Sequence, residues 1–429
     1  MKIIGGESIR GNIKVPGDKS ISHRLAIVSA ICEGTSRIDN FSRSQDCQST
    51  LECLKNLGIN IRKFNGTVEI TSQGIRSLQK PETALDCGNS GTTMRLLSGV
   101  LAASDTEATL IGDQSLSRRP MKRIIEPLEM MGAQIESKDG FAPLEIKGKP
   151  LSPIEYTLPV ASAQVKSAIL LAGLNTKGET TVIEPAETRD HTERLFKFLK
   201  APLQIANSNS KKIFKIKGPF SPAAFDAAAP GDISSAAFFI AAAIGLKGSE
   251  ISIESVGINP TRTAFIGILQ NFGADIELSN KREICGEPVA DIIVRWTEKL
   301  QKHPLRVDGP LIPNLIDELP ILGVLGTRLP AGLEVRDAYE LRHKESDRIS
   351  AVVQNLKKMG AKIEELEDGF IVAPSRLEGA EIETFGDHRI AMAFAVAALF
   401  AEGETVISNA ECANVSFPGF YDELEKLLS

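Results

Sequence analysis

The chain has 429 residues, of which 42% are hydrophobic and 24% are charged. A chain of this length exceeds what one hydrophobic core usually supports, so we expect two globular domains. Its 55 acidic residues outnumber 49 basic ones, and the net charge of −6 excludes a protein built for non-specific nucleic-acid binding. One Trp and three Tyr also leave few aromatic rings on which bases could stack. Any anion site must therefore be a local cluster of Lys and Arg.

The cysteines and the apolar segments indicate a protein of a reducing compartment. No two of the six cysteines form a C-x-x-C pair, and no His lies at zinc-ligand spacing from them, so we predict free thiols and no metal site. The N-terminal segment lacks the apolar stretch of a secretory signal. The longest apolar run, 390–401, has 12 residues and is too short to span a bilayer. We therefore expect a cytoplasmic protein that contacts no membrane.

One pattern occurs six times along the chain. Each copy is an Ala/Leu-rich helix, a turn and a short strand, and the copies cover 22–39, 92–112, 163–184, 234–254, 317–337 and 387–408. The turn residues are spaced by 71, 73, 70, 84 and 71 positions, at Gly34, Asp105, Gly178, Gly248, Gly332 and Gly403. Amphipathic helices that end at Gly precede a further strand between the copies, at 51–61, 126–136, 265–277 and 352–364. Each unit thus alternates strands and helices over about 70 residues.

Six units of this size favour two domains of three units each, because the units of a solenoid usually have about 20–50 residues. We predict an α/β fold in which 16–230 form the first domain. Residues 1–15 precede the first unit and could pair with either domain; we assign them, with 231–429, to the second domain. The hinge would lie near 15–17 and 230–232. The Ala-rich helices are apolar around nearly their whole circumference, so they should be buried.

Basic residues stand where several of the apolar helices begin. Lys19 and Arg24 flank the first such start, Arg95 lies one turn into the second, and Arg389 opens the last. Ser, Asp or Thr at these positions are ordinary N-caps. A cation there opposes the helix dipole, however, unless an anion lies between the cation and the free N–H groups of the helix. We therefore predict that these helix starts bind phosphorylated anions.

Two further basic clusters are weaker evidence for an anion site. Arg118 and Arg119 follow the strand of the second unit, in a loop where arginines are often only solvated. Lys344 and Arg348 are predicted to lie one turn apart on a helix. Two cations so placed repel each other unless an anion lies beside them, and a charged helix surface is the alternative.

The carboxylates available for proton transfer are Asp317, Glu318 and Glu345. A general acid or base must lie beside the reacting atoms, with its pKa adjusted by burial and by neighbouring charges. The sequence has no evident Ser-His-Asp or Cys-His arrangement. We therefore expect catalysis by positioning, charge neutralisation and proton transfer, without a covalent enzyme intermediate.

Eight motifs resemble those of the 5-enolpyruvylshikimate-3-phosphate (EPSP) synthases, in the same order and over the whole chain. They are VPGDKSISHR (15–24), GNSGTTMRL (88–96), RRP (118–120), ASAQVKSA (161–168), GDISSAAFF (231–239), KESDR (344–348), GDHRIAM (386–392) and SFPGF (416–420). The resemblance implies an α/β (α+β) fold of two similar domains, each with three βαβαββ units around buried helices, an inside-out α/β barrel. It also implies that the two domains close around the substrates.

The resemblance implies a 3-phosphoshikimate 1-carboxyvinyltransferase of the shikimate pathway, which leads to chorismate and the aromatic amino acids. The 5-hydroxyl of shikimate 3-phosphate attacks phosphoenolpyruvate, carbon 3 of the enol is protonated, and phosphate leaves from the tetrahedral intermediate. The partners are these two small molecules, with no cofactor and no metal. We expect the enzyme to act as a monomer that binds no nucleic acid.

The site residues follow from the resemblance by position. Those implied to bind phosphoenolpyruvate are Lys19, Gly91, Arg119, Gln164, Arg348 and Arg389. Those implied to bind shikimate 3-phosphate are Lys19, Ser20, Arg24, Ser162, Gln164, Arg189, Asp317 and Lys344. The catalytic residues would be Lys19, Asp317, which takes the hydroxyl proton, and Glu345, which protonates the methylene carbon.

Two positions depart from the pattern of many members. Ala163 replaces a second Ser, which removes one hydroxyl from the sugar-phosphate site. Val415 replaces a Lys before the S/T-F-P motif, which removes one cation near phosphoenolpyruvate. The combination resembles a divergent bacterial branch. Gly91 leaves room beside the enolpyruvate pocket, so we expect glyphosate to inhibit, although Leu96 could alter that pocket.

Three other functions remain as alternatives. UDP-N-acetylglucosamine enolpyruvyl transferases share the fold, but have Lys-Asn where this chain has Lys19-Ser20, and usually a Cys in the loop that here runs from 112 to 119 without one. RNA 3′-phosphate cyclases share only elements of the fold. A non-enzymatic anion-binding protein would retain the cations but would not need Asp317 and Glu345.

Overall fold

The computed structural model describes residues 1–6, 8–64, 66–208 and 211–428. The chain divides into two compact units. The N-unit consists of Gly17–Pro230 with Glu283–Glu287, and the C-unit consists of Met1–Pro16, Gly231–Arg282 and Pro288–Ser429. The repeat pattern gave no sign of the short segment Glu283–Glu287, because a five-residue exchange leaves no trace in hydrophobic periodicity.

The described ranges contain 13 α-helices. They are α1 (Lys19–Ser29), α2 (Gln45–Asn56), α3 (Gly91–Ala102), α4 (Lys122–Met130), α5 (Ala163–Leu174), α6 (His191–Phe198), α7 (Ile233–Gly245), α8 (Ala264–Asn271), α9 (Ile312–Leu315), α10 (Leu319–Gly326), α11 (Arg348–Lys358), α12 (His388–Phe400) and α13 (Phe420–Lys426). Short 3-10 helices occupy Ile75–Ser77, Leu116–Arg118, Gly309–Leu311, Tyr339–His343 and Ala410–Val415.

The same ranges contain 25 strands. Those up to residue 147 are β1 (Lys2–Ile4), β2 (Arg10–Lys14), β3 (Glu33–Asp39), β4 (Asn60–Phe64), β5 (Thr67–Gln73), β6 (Leu85–Asp86), β7 (Glu107–Ile111), β8 (Gln134–Lys138) and β9 (Phe141–Lys147). The next are β10 (Glu155–Thr157), β11 (Gly178–Glu184), β12 (Leu203–Ser208), β13 (Lys211–Gly218), β14 (Asp226–Ala228), β15 (Glu250–Gly257), β16 (Asp275–Ile284) and β17 (Glu287–Arg295). The last are β18 (Leu305–Val307), β19 (Leu333–Val335), β20 (Ile363–Leu366), β21 (Gly369–Val372), β22 (Leu377–Glu378), β23 (Glu381–Ile382), β24 (Ala401–Glu402) and β25 (Glu404–Ile407).

The N-unit has, within the residues described, three four-stranded sheets with one shared topology. Their strand orders are β14-β3-β5-β4, β6-β7-β9-β8 and β10-β11-β13-β12. The first pair of each sheet is parallel and the other two pairs are antiparallel. A buried helix joins the parallel strands, α3 between β6 and β7 and α5 between β10 and β11. In the first sheet the equivalent strand, β14, comes from the end of the N-unit. The last strand of the unit therefore pairs with β3, near the beginning of the unit.

The C-unit has the same organisation with more irregularity. Its sheets are β16-β17-β15-β2, β18-β19-β21-β20 and β1-β25-β23, and β22 pairs with β24. The N-terminal segment supplies two of these strands. β2 pairs in parallel with β15, and β1 pairs antiparallel with β25. Residues at the start of the chain therefore complete sheets whose other strands follow residue 250.

Buried helices form the centre of each unit, as predicted. Every residue of α7 is buried, as is every residue of α12 except Arg389. Each unit has its own hydrophobic core, and the apolar side chains in it contribute roughly 1.5–3 kcal/mol each when fully buried. Close packing depends on small residues: a Cβ on Gly99 of α3 would lie 2.2 Å from the carbonyl oxygen of Ala168 in α5. Within the N-unit, hydrogen bonds join the starts of α3 and α5, and within the C-unit the start of α12 lies against Asp317.

Three further predictions concern the cysteines, metal sites and membrane spans. The six cysteines are all free. Over the ranges described above, no group of three or more His, Cys, Asp or Glu could hold a metal ion. Of the helices in those ranges, none is long and apolar enough to cross a membrane.

Candidate functional site

Lys19 is the first residue of α1 in the N-unit. Asp18 caps the helix, since its carboxylate accepts a hydrogen bond of 2.9 Å from the backbone N–H of Ile21. The Lys19 ammonium lies 2.8 Å from a carboxylate oxygen of Asp46, and its side chain remains 32% exposed. Lys19 is therefore a fixed cation that solvent and a ligand can reach. Ser20 follows it on the first turn.

Arg24 lies one turn further along α1 and is buried. Its Nε donates to the hydroxyl of Thr192 at 2.7 Å, its Nη2 to the hydroxyl of Ser167 at 3.0 Å, and its Nη1 to the carbonyl oxygen of Ser20 at 2.9 Å. Burial lowers the pKa of Arg24 to about 10, and the nearby charge of Arg189 acts in the same direction. Arg24 stays charged near neutral pH, and a buried guanidinium with a second cation nearby favours an anion beside it.

Gly91 begins α3, where Ser90 caps the helix. A Cβ on Gly91 would lie 3.1 Å from Nη1 of Arg95, so the glycine leaves room for that guanidinium. Near this helix start, the Arg119 guanidinium donates to the side-chain oxygen of Asn89 at 2.7 Å. The loop arginine that the sequence left ambiguous is thus tied to the start of α3, while Arg118 is exposed.

Gln164 connects the starts of α3 and α5. Its amide nitrogen donates to the hydroxyl of Thr92 at 2.9 Å, and its amide oxygen accepts from Arg95. Ser162 caps α5 by accepting from the N–H of Val165 at 3.4 Å. Burial and, less strongly, the charges of Arg123 and Arg119 lower the pKa of Arg95 to about 10. Lys19, Gly91 and Ser162 with Gln164 thus lie at the starts of α1, α3 and α5, and the free N–H groups of helix starts suit an anion.

Arg348 forms the centre of a second cluster, in the C-unit. Its side chain is 2% exposed, with Nε 2.8 Å from Asp387 and Nη2 2.6 Å from Glu345. Burial alone would lower the pKa of Arg348, but attraction by Asp387 and Glu345 outweighs it and raises the pKa above its usual value. Asp387 also caps α12 by accepting from the N–H of Arg389 at 2.8 Å. One buried carboxylate thus positions both arginines.

Asp317 lies beside both of those arginines. Its Oδ1 is 3.8 Å from Nη1 of Arg348 and 3.7 Å from Nη2 of Arg389, and its backbone carbonyl accepts from Arg389 at 2.8 Å. The Asp317 side chain is 20% exposed and that of Glu345 is 32% exposed, so a ligand can reach either carboxylate. The C-unit therefore places two accessible carboxylates against two guanidiniums.

Glu318 has a different environment from its neighbour Asp317. It is buried and accepts a hydrogen bond from Ser234, whose hydroxyl in turn accepts from Arg262 at 2.8 Å. Burial raises the pKa of Glu318, and the adjacent charge of Asp317 raises it further. Of the three carboxylates identified in the sequence, Glu318 is therefore the one that is buried, and it lies 4.0 Å from the Arg389 guanidinium.

The prediction that Lys344 and Arg348 share one helix is wrong. The 3-10 helix Tyr339–His343 ends before Lys344, whose backbone is extended, and α11 begins only at Arg348. Asp347 is the cap, because its carboxylate accepts from the N–H of Ser350 at 3.0 Å. Lys344 instead pairs with Glu340 at 2.6 Å.

Several residues that hold the site were not identified from the sequence. Asp46 in α2 fixes Lys19, and Thr192 with Ser167 fixes Arg24. Asp46 and Thr192 come from segments outside the apolar repeats. No local pattern in the sequence indicated them, because each is paired with a residue of another segment.

The EPSP synthase family model, described as EPSP synthase (3-phosphoshikimate 1-carboxyvinyltransferase), matches residues 3–424. The chain belongs to this family.

Named relatives and a solved structure agree with that membership. The chain is 47% identical over 426 residues to the 3-phosphoshikimate 1-carboxyvinyltransferase of Salinibacter ruber, covering 98% of this chain and 97% of the relative. It is 48% identical over 432 residues to the enzyme of that name from Akkermansia muciniphila, covering 98% of each. The EPSP synthase structure from Acinetobacter baumannii matches with a TM-score of 0.90 and 40% identity, over 100% of this chain and 98% of that one. The predicted family and fold class are confirmed.

The two departures from the common EPSP synthase pattern lie at the start of α5 and at the end of a 3-10 helix of the C-unit. Ala163 is the first residue of α5, next to the capping Ser162. Val415 ends the 3-10 helix Ala410–Val415 and is 38% exposed. An apolar side chain at that position offers no charge to an anion.

Proposed function

We propose that this chain transfers the enolpyruvyl group of phosphoenolpyruvate to the 5-hydroxyl of shikimate 3-phosphate, which gives EPSP and inorganic phosphate. The observation that carries the proposal is the pairing of Asp317 and Glu345 with Arg348 in the C-unit. A protein that only binds anions gains nothing from accessible carboxylates beside its cations. An enzyme that must move protons next to bound anions needs both.

The proposed ligand contacts follow the family pattern. Phosphoenolpyruvate is bound by Lys19, Gly91, Arg119, Gln164, Arg348 and Arg389. Shikimate 3-phosphate is bound by Lys19, Ser20, Arg24, Ser162, Gln164, Arg189, Asp317 and Lys344. Bidentate arginines suit carboxylate and phosphate groups, which makes them fitting partners for both substrates.

The proposed chemistry is an addition followed by an elimination, and protons move in both steps. Asp317 accepts the proton of the 5-hydroxyl as its oxygen attacks carbon 2 of phosphoenolpyruvate, while Glu345 donates a proton to carbon 3. Glu345 must be protonated for this step. In the second step carbon 3 returns a proton to Glu345, the C–O bond to phosphate breaks, and the proton that Asp317 accepted passes to the departing phosphate. The guanidiniums of Arg348 and Arg389 neutralise the developing charge.

We also propose that the enzyme acts as a cytoplasmic monomer without cofactor or metal. Six free cysteines fit a reducing compartment. Each unit forms its own hydrophobic core within one chain, so folding needs no second copy.

Replacing Asp317 by Ala tests the proposed role of its carboxylate. We expect kcat to fall by about 10²–10⁴-fold, the usual contribution of a general base, while the Kd for shikimate 3-phosphate changes by only a few-fold. The matched control is Asp275→Ala, which removes an exposed carboxylate elsewhere in the C-unit and should leave kcat unchanged. A D317A variant with full turnover would contradict the role.

A further inference from the structure

Lys166 is a buried ammonium that the proposed reaction does not use. It lies in α5, and its side chain is 0% exposed. The Nζ atom is 3.0 and 3.1 Å from the two carboxylate oxygens of Glu184, 2.6 Å from Glu193, and 4.5 Å from the ring centre of Phe214. Removing one partner of a buried ion pair is strongly destabilising, whereas well-packed apolar residues often replace the whole pair without loss. A structural role alone therefore does not explain why charges occupy this position.

The two carboxylates stand at the two ends of one loop. Glu184 is the last residue of β11, and Glu193 lies in the first turn of α6. The loop 185–190 between them carries Arg189. Thr188 in the loop also donates a hydrogen bond to Glu184. The Nζ atom of Lys166 thus contacts a carboxylate at each end of the loop that contains Arg189.

The neighbours of Lys166 and Glu193 hold Arg24. Ser167, next to Lys166, accepts from Nη2 of Arg24, and Thr192, next to Glu193, accepts from its Nε. The two hydroxyls are themselves 2.7 Å apart. A shift of α6 relative to α5 would therefore move the acceptors that orient the Arg24 guanidinium.

Two cations and two carboxylates form this cluster, and burial raises the pKa of one of the carboxylates, Glu193. Lys166 and Arg24 carry two positive charges, and Glu184 with Glu193 carries two negative ones when both are ionised. Glu193 is the charge whose attraction most opposes the effect of burial on the pKa of Arg24. Arg189 then adds a further positive charge next to Arg24, which suits an incoming phosphate dianion.

We propose that Lys166 is a positioning residue for the phosphate group of shikimate 3-phosphate. It holds α5, β11 and α6 at one point, so that Arg24 and Arg189 keep the spacing that a phosphate requires. This inference rests on the proposed function. It assigns the buried ammonium a role in affinity for the sugar phosphate and none in the chemistry or in binding phosphoenolpyruvate.

The test compares Lys166→Met with Leu170→Ala, a control on the same helix whose side chain is also fully buried. Both variants should lower Tm. At a temperature well below either Tm, K166M should raise the KM for shikimate 3-phosphate at least tenfold, with kcat and the KM for phosphoenolpyruvate within about twofold of the parent. L170A should leave all three constants unchanged. Thr192→Val keeps the ion pairs but removes an Arg24 acceptor, and it should raise the same KM alone.

An unchanged KM for shikimate 3-phosphate in folded K166M would overturn the proposal, as would equal losses for both substrates. If K166M does not fold, T192V and Glu193→Gln decide by the same criterion. If the parent protein itself turns over no shikimate 3-phosphate, the proposed function fails. Calorimetry with inorganic phosphate then decides the inference separately, since the parent should bind phosphate and T192V should bind it at least tenfold more weakly.

Discussion

At the scale of single residues, the site depends on buried charges that are paired before substrate arrives. Arg348 and Asp387 are the clearest case, because their contact of 2.8 Å is almost fully shielded from solvent. Burial alone would raise the pKa of Asp387, but attraction by Arg348 outweighs it and holds the pKa below its usual value. The pair therefore contributes to the stability of the fold.

Asp387→Asn should lower the free energy of unfolding by about 3–5 kcal/mol at pH 7, because the buried Arg348 guanidinium loses the negative charge of Asp387. The folded-state pKa is depressed, so the carboxylate stabilises the fold above its unfolded pKa of about 3.9 and loses that effect as pH falls below it. Urea unfolding of the parent should therefore show a steeper loss of stability with acid than D387N. Parallel pH curves for the two proteins would contradict this assignment.

Gly91→Ala tests the room beside the enolpyruvate pocket. The added methyl would lie 3.1 Å from the end of the Arg95 side chain, which can move, so the variant should fold. A displaced Arg95 would disturb its hydrogen bond to Gln164 and raise the KM for phosphoenolpyruvate several-fold. We expect glyphosate to inhibit the parent and to inhibit G91A more weakly in the same assay. Full glyphosate sensitivity of G91A would argue against the predicted contact.

The sequence indicates the cations of the site better than the groups that hold them. Lys19, Arg24 and Arg389 stand out because cations are unexpected at helix starts. Their partners come from distant segments: Thr192 is 168 residues from Arg24. Single-sequence periodicity carries no information about such pairings.

At the scale of elements, close approach of the central helices sets the positions of their N-termini. The start of α3 carries Gly91 and the start of α5 carries Gln164. Gly99 permits this approach because it has no Cβ to meet the α5 backbone.

Gly99→Ala should therefore destabilise the N-unit and weaken substrate binding together. A Cβ 2.2 Å from a backbone oxygen forces the helices apart, and overpacking of this kind typically costs about 1–3 kcal/mol. The matched control is Gly267→Ala in α8, where nothing lies within 4 Å of the added Cβ and helix propensity favours Ala by about 0.5–1 kcal/mol. Denaturant titration and KM measurements check both. A G99A variant as stable as G267A would contradict the packing account.

Element boundaries were predicted well where hydrophobic periodicity is strong and poorly where a cap decides. The apolar helix of the last repeat was expected after the motif Asp387-His388-Arg389, and α12 begins at His388. The helix around Arg348 begins four residues later than expected, because Asp347 and not a residue before Lys344 is the cap. Capping depends on backbone angles that composition does not fix.

At the scale of the whole molecule, the six-fold repeat was visible in the sequence and recurs in the sheets of the two units. The repeat did not reveal two pairings between distant segments. β14, at the end of the N-unit, pairs with β3, and β2, near the start of the chain, pairs with β15. Local patterns do not encode such pairings. The inference from the net charge of −6 that cations act only where they cluster stays a prediction.

The most direct test of the proposed function is phosphate release from phosphoenolpyruvate, measured with shikimate 3-phosphate and, in parallel, with UDP-N-acetylglucosamine as acceptor. D317A serves as the background for each acceptor. We predict release with shikimate 3-phosphate alone. Release only with the nucleotide sugar, or no release with either acceptor although both anions bind, would contradict the function proposed for this chain.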